Sequence, residues 1–152
     1  TPPVVVEYIN YGNVDMWGFD ASLTGLINLE WSLDLTYSYL GMTEFLNPIT
    51  NSVDPINAPK HKAGMKLQYS PRKYPFTASL NGRFVDGFKW SSGIYFGNIQ
   101  PYTVLDLHLG YKINDIVKAN FTISNLLNSR HTEIIGGPAI GRVAILRLTT
   151  TF

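Results

Sequence analysis

Apolar and polar residues alternate with a period of two along most of this 152-residue chain. Seven runs show the pattern, and a weaker candidate covers residues 4–9; the seven span residues 19–27, 31–39, 62–70, 76–84, 103–112, 117–124 and 144–152. Successive side chains of a β-strand point to opposite faces, so each run fits a strand with one apolar side. No stretch carries the apolar stripe of a helix. The sequence therefore predicts an all-β chain of about eight strands.

The connections between these runs alternate in length. Short turns are expected near residues 28–30, 71–74 and 114–116, and longer connections rich in Gly, Pro and Asn near 46–59, 86–100 and 128–141. This alternation places all short turns at one end of the sheet and all long loops at the other. Antiparallel up-and-down neighbours produce such a rhythm, whereas a Greek-key sandwich mixes its loop lengths.

Composition excludes several classes of function. Charged residues make up only 15% of the chain, against roughly 25% in a typical soluble domain. The absence of Cys removes disulfide scaffolds, thiolate metal sites and thiol catalysis. A formal net charge of +1 and the lack of charge blocks give no reason to expect nucleic acid as a partner. No cofactor or metal is expected.

The polar side of the runs is poor in the Lys and Glu that soluble surfaces carry. It holds mainly Ser, Thr, Asn, Gln and Gly, while aromatic residues such as Trp31 and Tyr39 stand near the ends of the apolar side. Aromatic residues at strand ends are typical of the two interfaces of a bilayer. We therefore expect the apolar side to face lipid; a soluble lipocalin-like binder is the alternative. The charges then expected to face the lumen are Asp34, Lys66, Arg83, Asp106, His108, Lys118 and Arg147.

The end of the chain resembles the C-terminal end of TonB-dependent outer-membrane receptors. The resemblance lies in the Asn125-Leu126-Leu127-Asn128 segment, a long loop, Gly141-Arg142 and a final strand that ends at Phe152. Leu127 stands where the family more often has an aromatic residue, and Thr150 where a bulkier apolar residue is usual. The stretches at residues 18–20, 58–62 and 101–106 fit the family as well.

This resemblance implies that residues 1–152 are the C-terminal arc of a roughly 22-stranded barrel with a plugged lumen, without the plug domain itself. It implies a location in the outer membrane of a Gram-negative bacterium, and energy-coupled uptake of a metal chelate, vitamin, glycan or peptide. The implied partners are the lipid bilayer, the remaining strands and plug, TonB acting through the plug, and a lipoprotein at the cell surface. Phe152 resembles the signal for barrel assembly. A self-contained eight-stranded barrel with a structural or adhesive role is the alternative.

Few residues suggest chemistry. Asp106 and His108 share the polar face and could belong to a hydrolase triad, but barrel strands are rich in such polar neighbours, and we predict no enzyme. His131 and Glu133 are expected to form a solvated loop pair rather than a metal site, since two ligands alone are a weak signal. Aromatic residues crowd the connection at 86–100, and packing or ligand contact would explain them. The candidates for ligand contact are Trp90, Tyr95, Phe96 and His131.

Overall fold

The computed structural model describes residues 13–151, which form eleven β-strands. Their bounds are β1 Gly18–Leu26, β2 Trp31–Leu40, β3 Glu44–Asn47, β4 Ser52–Pro55, β5 His61–Tyr69, β6 Phe76–Val85, β7 Phe88–Ser92, β8 Tyr95–Ile99, β9 Tyr102–Lys112, β10 Val117–Ser124 and β11 Val143–Thr150. No helix within this part of the chain is long and apolar enough to cross a bilayer.

Seven strands form one antiparallel sheet in the order β1-β2-β5-β6-β9-β10-β11, so each pairs with its neighbours along the chain. These strands coincide with the seven alternating runs, which confirms the up-and-down topology. The weaker candidate at residues 4–9, like Phe152, lies outside the described residues. Within the described part, β1 and β11 do not pair with each other. The sheet is thus an open arc.

The first two long connections contain regular structure. Each contains a hairpin that forms a separate two-stranded sheet, β3–β4 in the first and β7–β8 in the second. The first hairpin turns through Asn51, whose φ of 54° is positive, and the second through Gly93, with φ of 59°. Positive φ is accessible to Gly and tolerated by Asn, so both residues suit the tight turns that close the two hairpins.

Asparagine side chains shape two of the three short turns. Asn28 Oδ1 accepts hydrogen bonds from the backbone N–H groups of Glu30 and Trp31, and Asn114 Oδ1 accepts from those of Ile116 and Val117. Such bonds let a side chain mimic a backbone turn. Beside the second turn, the hydrogen bond from Lys112 Nζ and the charge of that ammonium lower the pKa of the Asp115 carboxyl.

Strand register separates the sheet into two faces of different chemistry. One row across the outer face reads Gly25, Leu33, Leu67, Leu80 and Leu107, and a parallel row on the inner face reads Thr24, Asp34, Lys66, Asn81 and Asp106. Apart from hydrogen-bonded neighbours, only β4 and β7 are in contact among these strands, so no strand packs across the outer face. The large apolar side chains of the outer face therefore have no protein cover within residues 13–151.

Aromatic side chains mark both ends of the outer face. At the short-turn end, the rings of Trp31 and Tyr69 stack with centroids 4.5 Å apart, and Phe76 meets Tyr69 edge-on at 5.5 Å. At the long-loop end, Phe19 and Tyr39 lie 5.6 Å apart. An apolar band bounded by two aromatic rows is the pattern of a transmembrane β-barrel wall.

The buried apolar core of the described residues is small and lies at the long-loop end. It consists of Val85, Ile99, Tyr102 and Val104, with Phe88, Trp90 and Ile135 packed against it. Val85, Tyr102 and Val104 belong to the same face as Arg83 and Asp106. The second and third long connections therefore fold inward and cover the inner face at this end of the sheet.

Candidate functional site: the inner face and the long loops

The seven charged residues expected to face the lumen share one face of the sheet. Direct register pairs link Asp34 to Lys66 and Asn120 to Arg147, and the alternation along each strand places the others on the same side. Between them lies an open groove of about 560 Å³ whose lining includes Lys66, His108 and Arg147. This part of the inner face is polar, concave and rich in cationic side chains.

The two residues that could have formed part of a catalytic triad have separate structural partners. His108 Nδ1 lies 3.1 Å from Thr122 Oγ1, and Asp106 Oδ1 accepts a hydrogen bond from the backbone N–H of Asn125 at 2.8 Å. The carboxylate thus holds the start of the third long loop, so Asp106 is a positioning residue of that loop.

Arg83 reaches from the wall to the third long loop. Its Nη2 donates to Glu133 Oε1 at 2.8 Å, and its guanidinium carbon lies 5.6 Å from the centre of the Tyr102 ring. The partner of this inner-face charge is therefore a loop residue of the same chain. Asp34, Lys66, Lys118 and Arg147 form no ion pair within residues 13–151.

His131 is buried, and the prediction of a solvated His131–Glu133 pair is wrong for this residue. Its side chain is only 5% exposed, and its ring stacks on Tyr102 with centroids 4.3 Å apart and planes inclined by 19°. Of the four candidates for ligand contact, His131 is thus the one that the fold encloses. No group of three potential metal ligands occurs in the described part of the chain.

The third long loop, residues 125–142, is organised by two asparagines. Asn125 is 1% exposed; its Nδ2 donates to the carbonyl of Ser129 at 2.9 Å, and its Oδ1 accepts from the Ser129 N–H at 3.0 Å. Asn128 Oδ1 accepts from the backbone N–H of Arg142 at 3.1 Å, at the far end of the loop. Both have positive φ, 55° and 52°. The side chains of these two asparagines therefore stabilise the folded loop.

The aromatic residues of the β7–β8 hairpin divide into two groups. Phe88 and Trp90 pack against the small core. At the tip, by contrast, Ile94, Tyr95 and Phe96 are 84%, 53% and 79% exposed. Packing explains the first group, and the second forms an exposed apolar tip.

The three long connections contact one another. Glu44 Oε1 and Lys89 Nζ lie 2.6 Å apart, and Asn57 exchanges two hydrogen bonds with the backbone of Ser91, at 2.7 and 2.8 Å. The hairpin in turn lies against the third loop, because a Cβ added to Gly97 would come within 3.0 Å of Ile135. The connections thus form a continuous rim at one end of the sheet.

Sequence reasoning missed the residues that tie this rim together, notably Glu44, Asn57 and Asn125. A Lys–Glu pair 45 positions apart leaves no periodic signal. Asn57 and Asn125 did carry one signal, since Asn is the non-Gly residue most tolerant of positive φ. That tolerance predicts a turn, but it does not identify the backbone that the side chain then binds.

An open antiparallel arc with an uncovered apolar outer face, two aromatic rows and a polar inner face is the wall of an outer-membrane β-barrel. It is not a lipocalin-like binder, because the apolar rows do not converge on an interior. Residues 1–126 match the family described as TonB dependent receptor-like, beta-barrel, and the chain belongs to this family.

Solved structures share the fold at low sequence identity. The ferric-catecholate import receptor Fiu from E. coli K12 aligns with a TM-score of 0.69 at 19% identity, over 90% of this chain and 21% of Fiu. The ferric enterobactin receptor PfeA from Pseudomonas aeruginosa gives 0.67 at 16% identity, over 90% and 22%. The siderophore receptor PiuA from Acinetobacter baumannii gives 0.65 at 20% identity, over 88% and 21%. No curated protein matches the sequence.

The chain spans about a fifth of the length of these solved receptors. It is therefore a segment of a receptor barrel, and family membership places it in the outer membrane of Gram-negative bacteria. The family consists of receptors rather than enzymes, which agrees with the prediction that the chain is not an enzyme. Most of each solved receptor lies outside the part that this chain matches.

Proposed function

We propose that this chain forms one arc of the wall of an importer for a scarce nutrient, with a metal chelate as the substrate. The polar inner face would line the lumen beside a plug, and the rim of long connections would form part of the outer vestibule. TonB would act through the plug, so this arc would supply binding and enclosure. The orientation follows from the family pattern of short periplasmic turns and long extracellular loops.

The observation that carries the proposal is the rim itself. Ion pairs, hydrogen bonds and packing fasten its three connections together, yet Ile94, Tyr95 and Phe96 remain exposed at the tip of one hairpin. Exposed aromatic side chains on a well-supported element offer flat apolar surfaces to a ligand, at a low entropic cost. The solved structures with the same fold include receptors for ferric catecholates and siderophores, which favours a metal chelate over a vitamin, glycan or peptide.

Uptake assays with the assembled receptor test this proposal. Cells that lack the receptor and cells complemented with it would be compared for TonB-dependent uptake of iron-55 bound to catecholate or mixed-ligand chelators, with cobalamin and an oligosaccharide as other substrates. We expect the complemented cells to accumulate at least one ferric chelate. Uptake of cobalamin or the sugar alone would reject the metal-chelate assignment.

Variants at the rim test the role of the hairpin tip. We expect the double variant Tyr95→Ala, Phe96→Ala to weaken substrate binding about tenfold at an unchanged surface level, since each aromatic contact contributes about 0.5–1.5 kcal/mol. Ile49→Ala is the matched control, because Ile49 is also exposed (58%) but lies in the neighbouring hairpin. Equal binding by all three proteins would assign the tip to another partner, such as a surface lipoprotein.

A further inference from the structure

His131 is the one buried side chain of the described residues with an unsatisfied polar atom. Its Nδ1 lies 2.8 Å from the carbonyl oxygen of Ser129. A carbonyl oxygen only accepts hydrogen bonds, so Nδ1 must carry a proton. The Nε2 atom is buried without a hydrogen-bond partner, although Glu133 Oε1 is 3.4 Å away.

The proton on Nδ1 decides what Nε2 can do. In the neutral imidazole with Nδ1 protonated, Nε2 carries a lone pair, which here faces a carboxylate oxygen. Neither Nε2 nor Glu133 Oε1 can then donate, so the buried Nε2 acceptor is left unsatisfied. In the imidazolium both nitrogens donate, so Nε2 gains a charge-assisted bond to Glu133 while Nδ1 keeps its bond to Ser129.

The other groups around His131 come from the barrel wall. Arg83 on β6 donates to the same Glu133 oxygen at 2.8 Å, and Tyr102 on β9 stacks on the imidazole ring at 4.3 Å. The Arg83 charge and the burial of the ring oppose protonation of His131, whereas the carboxylate between the two side chains favours it. With His131 protonated, one carboxylate joins two cations, one from the wall and one from the loop.

We propose that His131, Glu133 and Arg83 form a proton-operated latch that holds the loop of residues 125–142 against the inner face of the wall. In the closed loop only the protonated ring can donate from both nitrogens, so we expect the closed loop to be more stable at acidic than at alkaline pH. That stability is lost as the pH rises and the proton leaves.

Loss of the proton from His131 would affect the contact between the two halves of the loop. The backbone N–H of Ile140 donates to the carbonyl of His131 at 2.7 Å, and this bridge joins the two halves of the loop. Release of His131 would loosen this bridge. If the rim lines a substrate vestibule, which rests on the proposed function, the latch would couple external pH to the position of one vestibule wall.

Hydrogen–deuterium exchange of the assembled receptor tests the latch without substrate or uptake. After correction for intrinsic exchange rates, we expect peptides covering residues 129–142 to exchange about tenfold faster at pH 8.5 than at pH 5.5. His131→Gln and Glu133→Gln should each remove this difference, because neither variant retains both the proton site and the carboxylate. His108→Gln, which changes another inner-face histidine, should keep it.

Nitrogen-15 NMR of histidine-labelled receptor gives the direct readout. The resonance missing from the His131→Gln spectrum should show two protonated nitrogens at pH 5.5 and one at pH 8.5, and Glu133→Gln should favour the neutral form at the lower pH. Loop exchange that does not depend on pH in the native receptor would overturn the proposal. A full pH dependence of loop exchange in Glu133→Gln would also overturn the proposal.

Discussion

A charge placed on one face of β5 should disrupt the barrel, whereas the same charge on the other face should not. On the outer face, β5 runs from His61, in the aromatic row at the long-loop end, to Tyr69, in the row at the short-turn end. Met65 therefore lies midway between the rows. At about 3.3 Å per residue and a tilt of about 45°, Met65 is roughly 9 Å from either row. We therefore expect Met65→Lys to cost about 2–4 kcal/mol, the range for a cation at the bilayer midplane.

The control is Gln68→Lys, which places the same side chain on the inner face of the same strand, three residues nearer to the aromatic row at the short-turn end. Its cross-strand neighbours are Ser32 and Ser79, both small and neutral. This substitution should change stability by no more than about 0.5 kcal/mol, as at other wet surfaces. Met65→Leu controls for loss of the thioether, because similar-sized apolar residues exchange at a cost below about 1.5 kcal/mol.

Urea titration of the assembled receptor in lipid vesicles, followed by tryptophan fluorescence, measures these differences. The assignment of faces requires Met65→Lys to have a lower free energy of unfolding than Gln68→Lys by at least about 1.5 kcal/mol. If Gln68→Lys proved the more damaging of the two, the apolar rows would not face lipid.

Two further predictions concern backbone geometry. Asn125→Ala should lower the free energy of opening the loop of residues 125–142 by about 3 kcal/mol, from two lost hydrogen bonds at about 1 kcal/mol each and about 1 kcal/mol for positive φ. Asn125→Gly should lower it by only about 2 kcal/mol, because it loses the hydrogen bonds alone. Amide exchange across the loop would distinguish the two variants. Equal exchange in both would show that positive φ at residue 125 carries no cost in the Ala variant. Gly110→Ala should destabilise the barrel by about 1–3 kcal/mol, since the added Cβ would lie 2.7 Å from Thr77 Oγ1. Gly25→Ala is the control: its Cβ would have no atom within 4 Å, so it should be nearly neutral in the same urea titration.

The sheet could be predicted from the sequence because its determinants are local and periodic. The alternation around Leu67 and Lys66 specifies which side chain faces which way, and the Asn114 turn specifies an antiparallel neighbour. The strand order and the two faces of each strand followed without knowledge of any tertiary contact. That is why all seven strands of the main sheet coincide with alternating runs of the sequence.

The rim could not be predicted in this way. Its structure depends on pairs such as Glu44 with Lys89 and Arg83 with Glu133, which are far apart in sequence and follow no repeat. The inward fold of the third loop also converts His131 from an expected surface residue into a buried one. Val85 and Tyr102, at the ends of β6 and β9, lie on the same face as Arg83, but the sequence did not reveal that loops would cover them.

The open edges of the arc show why it needs neighbours in a membrane. Strand β1 has nine residues and β11 has eight, and each is paired on one side only within the described residues. Alternate residues of an edge strand direct their N–H and C=O groups outward, which leaves roughly eight unpaired groups per edge. At several kcal/mol for each group in hydrocarbon, the cost reaches tens of kcal/mol, more than the 5–15 kcal/mol that stabilises an ordinary domain. The arc therefore becomes stable in a bilayer only when further strands pair with both edges, so the wall and its lumen are properties of the assembled receptor.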